Sequence, residues 1–529
     1  MEQKRKITFY DTTLRDGSQT VGITFSLQDK IRIARELDRF KIDYIEGGWP
    51  GANPKDTQFF EEIRNAGLTY SKVAAFCSTK RHDVSCKDDP LIQAMVNSHA
   101  DILTIFTKSW DFHVTKALGI SLKDNLTLLK ETVMYMKDKG FTVFVDGEHF
   151  YDGYNANSDY ALEIVNTAKN AGADMFILCD TNGGMIPSSI YNITKKVCDQ
   201  VSIPLGVHCH NDTDCAVANS LAAIEAGAQN VQGTINGIGE RCGNANLCSI
   251  IANTVLKMNC AASCETELMR LTSLSKFVSE TANITHALSF SYVGDSAFAH
   301  KGGIHVSAIN KDARTYEHIS PERVGNIRHV TISEQSGKSN VSFKAQELGI
   351  EVDDKNVPKI LAKVKELEKL GFQFEGAEAS LELIIQEIQK KYKPYFILKG
   401  FRILSEKKED SNITTCEASI KVEVDGKLSH TAANGTGPVG ALDSALRKAL
   451  YKFYPEIKEI QLEDYKVRVL DSKRGANSAV RVLMNLHQKN NYWTTLGVSD
   501  NIIEASWQAM VDGIEFMLYK KVDKDKEKN

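Results

Sequence analysis

Three features are missing from this 529-residue sequence: long hydrophobic runs, a large excess of one charge and a signal-like start. No apolar run approaches the length of a membrane span, and Met1–Ile7 is not followed by the apolar core of a secretion signal. The 64 lysines and arginines nearly balance the 68 aspartates and glutamates, and the net charge of -4 argues against a surface for nucleic acid or an anionic membrane. We therefore expect neither a membrane nor nucleic acid among the partners.

Cysteine is present but scattered, and several of the 11 cysteines fall inside apolar segments, as Cys77, Cys179 and Cys209 do. This distribution is typical of reduced thiols and predicts a cytoplasmic protein. The composition, 42% hydrophobic and 25% charged, is that of an ordinary globular protein. The length predicts about three to four domain-sized units.

Eight short apolar segments, rich in β-branched residues, recur about every 30 to 40 residues with helical segments between them, as parallel βα units do. They are Ile7–Tyr10, Ile42–Glu46, Val73–Cys77, Ile102–Phe106, Phe141–Val145, Met175–Cys179, Leu205–His208 and Val231–Thr234. Several of the helical segments end in glycine, where a helix can be capped before the next strand. Eight units in strict alternation predict an α/β fold with a TIM (β/α)8 barrel, and an open doubly wound sheet is the alternative.

Polar residues follow many of the predicted strands at their C-terminal ends, which favours the barrel, because an open sheet does not normally place them at so many strand ends. They are Asp11, Arg15–Asp16, Asp146–Glu148, Asp180–Gly183, His208, His210–Asp212, Asn236 and Gly239–Asn244. Each has an ordinary structural explanation when it is taken alone. The strand ends of a barrel converge on one mouth, however, so these side chains are predicted to share one site.

A metal site is predicted within this group. His208 and His210 are two residues apart on one strand and so face the same way, while Asp16 follows another strand. One carboxylate and two imidazoles supply three ligands for a catalytic divalent metal and leave a position open for substrate. Arg15 adds a fixed positive charge beside that metal, suited to an oxygen atom that becomes negative during a reaction.

Three motifs carry a resemblance to a known family: Asp11–Gly17, His208–Asp212 and Gly237–Asn244. They resemble the DRE-type metal-dependent TIM-barrel enzymes, and within these the acyl-CoA-condensing synthases that make isopropylmalate, homocitrate or citramalate. The resemblance covers nearly the whole chain. Two loops, Gly47–Asp56 and Lys108–Val114, resemble the citramalate synthase branch of the family.

The resemblance implies an acyltransferase that performs a Claisen-like condensation of acetyl-CoA with pyruvate, followed by thioester hydrolysis to citramalate and CoA, in isoleucine biosynthesis. It implies a divalent metal, Mn²⁺, Mg²⁺, Co²⁺ or Zn²⁺, as cofactor and acetyl-CoA as co-substrate. Asp16, His208 and His210 are the implied ligands, and Asn244 matches the family position that completes or orients the metal shell.

For the substrate, the resemblance implies that Arg15 donates to the keto oxygen as this becomes an alkoxide, and that Thr181 hydrogen-bonds the α-carboxylate. Glu148, after the fifth strand, is implied to point at the reacting end, in a specificity or positioning role rather than as a base. Trp49, in the loop after the second strand, either shapes a wall of a small pocket or packs the barrel against a helix.

The base that deprotonates acetyl-CoA is implied to lie beyond the barrel, in a helical linker that covers the active site. The family's proton-transferring histidine and tyrosine match His305 and Tyr316. Isopropylmalate synthases usually have Gln-Asp after that histidine, whereas this sequence has Val306–Ser307, so a purely structural role for His305 stays open. In this family the covering segment comes from the neighbouring subunit, which implies a homodimer.

From about residue 395 the pattern changes to alternating strands, including Thr414–Val424 with a hairpin turn at Asp425–Gly426. Two sets of strands are each followed by a helix, predicted over Ala441–Tyr451 and Ile502–Leu518. The segment resembles the family's regulatory, dimer-forming domain, which implies isoleucine as an effector received at the two helix starts. The candidate effector residues are Gly437, Pro438, Val439, Asp500 and Asn501. Structural dimerisation alone is the alternative.

The predicted domain limits are 1–275 for the barrel, 276–392 for helical linker subdomains, 393–520 for the regulatory domain and 521–529 for a charged tail. Three other functions compete with the first. They are the same chemistry on a larger 2-oxo acid by an isopropylmalate or homocitrate synthase, carbon–carbon cleavage by an acyl-CoA lyase, and a non-catalytic amino-acid sensor. The linker and regulatory domain argue against the lyase, and the complete set of site residues argues against the sensor.

Overall fold

The computed structural model describes residues 4–330, 338–374, 376–407, 414–470, 478–489 and 491–527. Its first part alternates strands and helices: β1 (Thr8–Asp11), α1 (Leu27–Arg39), β2 (Tyr44–Gly48), α2 (Pro54–Ile63), β3 (Lys72–Ser78), α3 (Pro90–Val96), β4 (Ile102–Lys108), α4 (Asp111–His113), α5 (Leu122–Asp138), β5 (Thr142–Glu148), α6 (Phe150–Ala156), α7 (Ser158–Asn170), β6 (Met175–Asp180), α8 (Pro187–Gln200), β7 (Leu205–Cys209), α9 (Ala216–Ala226), β8 (Asn230–Gly233), α10 (Leu247–Leu256) and α11 (Leu271–Thr281). The eight strands form a closed barrel in sequence order, with β8 paired to β1. The predicted TIM barrel is confirmed, and the open sheet is excluded.

Local sequence explains where the helices begin and end. Ser26 and Ser121 accept hydrogen bonds from the third residue of α1 and α5 in reciprocal capping boxes. Gly140 and Gly172 follow α5 and α7 with φ of 85° and 98°, a left-handed conformation that favours glycine and turns the chain into the next strand. The prediction that glycines end several of these helices is thus confirmed.

A packed layer of side chains fills the barrel below its C-terminal mouth. Tyr10, Phe144 and Ile177 belong to this buried cluster, and the Tyr10 hydroxyl lies 2.9 Å from the Thr104 hydroxyl across the barrel. The interior of the barrel is therefore filled with side chains and is not a pore. Polar side chains at the strand ends lie beyond this layer, at the mouth.

The chain divides into two compact units, one reaching Phe298 and including Ile319–Arg328, the other made of Ala299–His318 and the chain from His329 onward. The second unit contains β9 (Ala299–His300), α12 (Gly303–Ile309), β10 (His329–Val330), α13 (Lys338–Glu347), α14 (Val357–Lys369), α15 (Glu378–Ile388), β11 (Ile397–Lys407), β12 (Thr414–Val424), β13 (Lys427–Gly435), α16 (Pro438–Leu450), β14 (Gln461–Val469), β15 (Val480–Gln488), β16 (Asn491–Ser499) and α17 (Ile502–Glu527). No helix among the described residues combines the length and apolarity needed to cross a membrane. The domain limits derived from the sequence stay predictions.

The C-terminal part repeats one pattern, three antiparallel strands followed by a helix: β11–β13 with α16, then β14–β16 with α17. This confirms the internal repeat and the hairpin turn, whose residues Asp425 and Gly426 both have positive φ. Helix α17 continues past the predicted end at Leu518 to Glu527, through most of the segment predicted as a tail. Lysine and glutamate are good helix formers, and Lys521 pairs with Glu456 over 2.8 Å. Residues 528 and 529 of the predicted tail lie outside the described residues.

A buried carboxyl group between α15 and α17 predicts a pH-dependent stability. The Ser380 hydroxyl donates to Asp512 Oδ2 over 2.6 Å, and burial raises the pKa of Asp512 to about 7. In the unfolded chain the carboxyl group of Asp512 loses its proton at about pH 4. The stability that the protonated, buried carboxyl contributes is therefore fully present below this pH and is lost as the pH rises through about 7. We expect Asp512→Asn, which resembles the protonated acid, to raise the Tm increasingly between about pH 4 and 7 and then level off. Thermal unfolding of both proteins across this range checks the prediction, which a pH-independent difference contradicts.

Candidate active site

Asp16, His208 and His210 meet at the mouth of the barrel, as the sequence predicts. Asp16 Oδ2 lies 3.6 Å from His208 Nε2 and 3.8 Å from His210 Nε2, and the two Nε2 atoms are 3.3 Å apart. All three side chains are buried, and they form the one such group of potential metal ligands among the described residues. Burial lowers the pKa of both histidines, which favours neutral imidazoles with a lone pair for a cation.

Buried polar atoms without hydrogen-bond partners surround this group, and they fit a metal ion. Asp16 Oδ1 and both polar side-chain atoms of Asn244 are buried without a hydrogen-bond partner among the described residues. Burial favours the neutral acid, but the permanent positive charge of Arg15 opposes it, and the pKa of Asp16 lies below its usual value. Unpartnered buried oxygen atoms beside neutral imidazoles are a donor set that a divalent cation satisfies.

Asn244 reaches this position through a short backbone bridge to His210. The Asn211 amide donates to the Gly243 carbonyl over 2.9 Å, and the Ala245 amide donates to the Cys209 carbonyl over the same distance. Gly239 makes room for the amide, because a Cβ at this glycine would lie 2.2 Å from Asn244 Nδ2. The loop after β8 is thus folded to place Asn244 beside the metal ligands.

A hydrogen-bond relay that the sequence does not reveal orients His208. Its Nδ1 donates to Gln232 Oε1 over 2.9 Å, and Gln232 Nε2 donates to Asp146 Oδ1 over 3.0 Å. The relay keeps the proton on Nδ1 and leaves Nε2 with its lone pair toward Asp16. Burial, reinforced by the nearby Glu46, raises the pKa of Asp146 to about 8.

Removing the middle of this relay is expected to weaken metal binding. Gln232→Leu leaves His208 Nδ1 without its acceptor, and the loss of such a partner typically lowers metal affinity about 10- to 100-fold. Gln93→Leu on α3 is the matched control, because Gln93 donates to Cys86 and Tyr135 and not to a metal ligand. Mn²⁺ titration followed by electron paramagnetic resonance measures both dissociation constants. Equal affinities in the two variants would contradict the role of the relay.

Arg15 is held rigidly beside the ligands. Its guanidinium donates twice to Glu46, from Nε over 3.2 Å and from Nη2 over 3.1 Å, and Nη1 lies 3.4 Å from Asp16 Oδ2. Its Cζ lies 3.9 Å from the centre of the Phe76 ring. Burial disfavours the charged guanidinium, but Glu46 and Asp16 outweigh it and raise the pKa of Arg15, so the group is a permanent cation with a fixed direction.

Trp49 supports this arrangement by packing. Its ring stands edge-on to Phe76 and Phe106, with centres 5.9 and 5.7 Å away, and its amide donates to Asp56 Oδ2 over 3.0 Å. Asp56 in turn accepts from the buried Lys30 over 2.5 Å. The rings that Trp49 touches belong to β3 and β4, and both roles that the sequence leaves open for it stay predictions.

Glu148 and Thr181 also lie at strand ends of the mouth. Glu148 ends β5 and accepts a hydrogen bond from Lys108, which ends β4. The Thr181 hydroxyl, directly after β6, accepts from the His149 amide over 2.9 Å, which leaves its own proton to donate. Both residues therefore occupy the rim where the metal ligands lie, and the pairing of Lys108 with Glu148 was not visible in the sequence.

His305 and Tyr316 come together in the second unit. Their rings stack with centres 4.2 Å apart, and 45% of the surface of Tyr316 is exposed. Next to them, His300 Nε2 lies 3.2 Å from Glu317 Oε1. The predicted pair is thus adjacent, with an imidazole and a phenol open to solvent.

The candidate effector residues occupy the two helix starts of the C-terminal repeat. Gly437 precedes α16, which begins with Pro438 and Val439 and has no side-chain cap. Asn501 precedes α17 and caps it, because its Oδ1 accepts from the Ile503 amide over 2.9 Å. Asp500 Oδ1 lies 3.4 Å from the Ser499 hydroxyl. The first helix start therefore has the more open backbone amides.

Known proteins match this chain from one end to the other. A model of the HMGL-like family matches residues 6–278, just over half of the chain. The chain belongs to the HMGL-like family. Beyond that region, a homocitrate synthase post-HMGL domain-like model matches residues 292–371, and a model of the LeuA allosteric (dimerisation) domain matches residues 375–518. The family resemblance read from the motifs is confirmed, as is a C-terminal regulatory domain.

Full-length relatives refine this membership. An (R)-citramalate synthase of Geobacter sulfurreducens is 50% identical over 97% of this chain and 98% of its own length. The (R)-citramalate synthase of Aquifex aeolicus is also 50% identical, with the same coverage of both chains. A probable 2-isopropylmalate synthase of Methanopyrus kandleri is 33% identical over 98% of this chain and 99% of its own. This HMGL-like chain is an enzyme of the acyltransferase class, and the prediction of the citramalate branch is confirmed.

Proposed function

We propose that this chain joins the methyl carbon of acetyl-CoA to the keto carbon of pyruvate and hydrolyses the thioester, releasing (R)-citramalate and CoA. The observation that carries the chemistry is the buried group of Asp16, His208 and His210 with the Arg15 guanidinium fixed beside it. The choice of pyruvate is supported by five relatives named (R)-citramalate synthase, at 43–50% identity over nearly the whole chain.

A divalent cation on Asp16, His208 and His210, with Asn244 beside them, supplies Lewis acidity to a ketone oxygen when bound. One carboxylate and two imidazoles accept Mn²⁺, Mg²⁺, Co²⁺ or Zn²⁺. Arg15 donates hydrogen bonds to the same oxygen as it becomes negative, from a direction already set by Glu46. Preorganised donors of this kind stabilise a transition state by about 3–4 kcal/mol each.

The remaining rim residues orient pyruvate. Thr181, whose hydroxyl proton is not used by His149, donates to the α-carboxylate. Glu148 faces the reacting end and positions it. A 2-oxo acid thus finds a donor for its carboxylate and a second donor for its keto oxygen on neighbouring parts of one mouth.

The proton of the acetyl-CoA methyl group passes to His305 and Tyr316, supplied by the linker of a partner subunit in a homodimer. The stacking of the two rings supports a joint role, because the phenol can orient the imidazole. The match to a LeuA allosteric (dimerisation) domain supports the dimer.

The same domain binds isoleucine at Gly437, Pro438, Val439, Asp500 and Asn501. The uncapped start of α16 offers backbone amides to a carboxylate. Calorimetric titration with isoleucine and with leucine separates this effector from the alternatives, and heat from leucine alone would reject it.

CoA release from acetyl-CoA tests the proposed function, with Mn²⁺ or Mg²⁺ added and pyruvate, 2-oxoisovalerate and 2-oxoglutarate supplied in parallel. We expect release with pyruvate, because the five relatives that are 43–50% identical over nearly the whole chain are named (R)-citramalate synthase, and pyruvate is the 2-oxo acid that gives citramalate. Preference for 2-oxoisovalerate would make the chain an isopropylmalate synthase with the same mechanism. Release with none of the three would reject the condensation.

A further inference from the structure

We propose that Lys108 is a positioning residue of this active site, which holds the Glu148 carboxylate toward the reacting end of the substrate. The inference rests on the proposed function, in which Glu148 faces pyruvate. Neither the sequence motifs nor the comparisons give Lys108 a role in the reaction.

The two side chains meet at the mouth. Lys108 and Glu148 are the last residues of β4 and β5 and face each other in the register of the parallel pair. Lys108 Nζ donates to Glu148 Oε2, and within the described part of the chain no other hydrogen bond reaches this carboxylate. The side chains are 19% and 25% exposed, so the pair lines an opening and is neither core nor free surface. The direction of the Glu148 carboxylate is therefore set by Lys108.

The backbone around the pair is fixed on both sides. Asn125 on α5 is buried, and its Nδ2 donates to the Lys108 carbonyl over 2.9 Å. The Ser109 amide donates to the Glu148 carbonyl over 3.0 Å and extends the pairing of the two strands past their ends. These hydrogen bonds tie the ends of β4 and β5 to each other and tie the end of β4 to α5.

Lys108 also shares a support with Arg15. Its Nζ lies 5.5 Å from the centre of the Phe106 ring, and Phe106 stacks on Phe76 with centres 5.4 Å apart and an interplanar angle of 21°. Arg15 lies over Phe76, so two cations stand on two stacked rings. Arg15 is paired with Glu46 and Lys108 with Glu148. The two stacked rings thus connect Lys108 to Arg15. This connection distinguishes the Lys108–Glu148 pair from an ordinary surface ion pair.

A double-mutant cycle tests whether Lys108 acts through Glu148. Lys108→Met keeps an unbranched side chain only one atom shorter but removes the ammonium that pairs with Glu148 and lies near the Phe106 ring. We expect kcat/KM for pyruvate to fall by about 10- to 100-fold, as for coupled neighbours. The double variant with Glu148→Gln is expected to lose no more than Glu148→Gln alone, and Lys108→Arg is expected to recover part of the activity. Lys108→Gln replaces Lys108→Met if that variant does not fold.

Lys137→Met is the matched control. Lys137 pairs with Asp174 over 2.7 Å in the last turn of α5, at the other end of the barrel, and its loss should leave kcat/KM unchanged. Losses that multiply in the double variant, or a Lys108→Met variant as active as Lys137→Met, would overturn the proposal. A wild-type protein that releases no CoA with pyruvate would instead reject the proposed function before any variant is compared.

Discussion

Asp16→Asn is expected to abolish measurable condensation and to release the metal. The substitution keeps the shape of the side chain but replaces an anionic oxygen that lies within 3.8 Å of both histidine nitrogens. Lewis acid catalysis contributes several kcal/mol, and each ~1.4 kcal/mol is a factor of ten, so kcat/KM should fall by at least about 10³-fold. CoA release and Mn²⁺ binding, measured on the same preparation, check the two halves of this prediction.

The fold should survive the change. Asp16 Oδ1 has no hydrogen-bond partner among the described residues, so an amide at this position breaks no hydrogen bond of that atom. Asp199→Asn on α8 is the control, since that carboxylate is exposed and, among the residues that the structure describes, pairs only with Lys195 in the same helix. If Asp16→Asn retained both tight Mn²⁺ binding and activity, Asp16 would not be a ligand.

Arg15→Lys is expected to lower kcat/KM by about 10²- to 10³-fold while leaving Mn²⁺ affinity close to that of the wild type. Lysine keeps the charge, but a single ammonium cannot make the two parallel hydrogen bonds to Glu46 or lie flat on Phe76. The positive charge then loses its fixed direction toward the ketone oxygen. Steady-state kinetics with pyruvate, together with Mn²⁺ titration, separates this effect from loss of the metal.

Arg447→Lys provides the comparison for Arg15→Lys. Arg447 Nε donates to both carboxylate oxygens of Asp443, and its Nη1 donates to the Ile457 and Ile460 carbonyls, but the residue lies in the C-terminal part of the chain. The Arg447→Lys variant should be somewhat less stable than the wild type and keep its condensing activity. Should both variants show the same small kinetic change, the rigid placement of Arg15 would have no catalytic role.

The barrel and the metal ligands are predictable from sequence because both depend on local periodicity. Alternation along β7 places His208 and His210 on one side, and the repeat of eight βα units brings Asp16 to the same mouth. The C-terminal repeat follows from alternating strands and a turn signal at Asp425–Gly426. None of these requires knowledge of which distant side chains touch.

The partners of these ligands could not be predicted in the same way. Gln232 and Asp146 come from β8 and β5 and meet only because the barrel closes. Glu46 is the one charged residue of β2, which indicates that a group of opposite charge must neutralise it, but the sequence does not identify Arg15 as that group. Such contacts depend on register across the barrel, which no single segment contains.

The proposed condensation is tested most directly by the product made from acetyl-CoA and pyruvate labelled with ¹³C at the keto carbon, followed by carbon NMR with the metal-loaded protein. If the chain performs this reaction, one quaternary carbon of citramalate appears for each CoA released, and metal removal by a chelator stops both. CoA release without a new carbon–carbon bond, or an unchanged rate after metal removal, would contradict it.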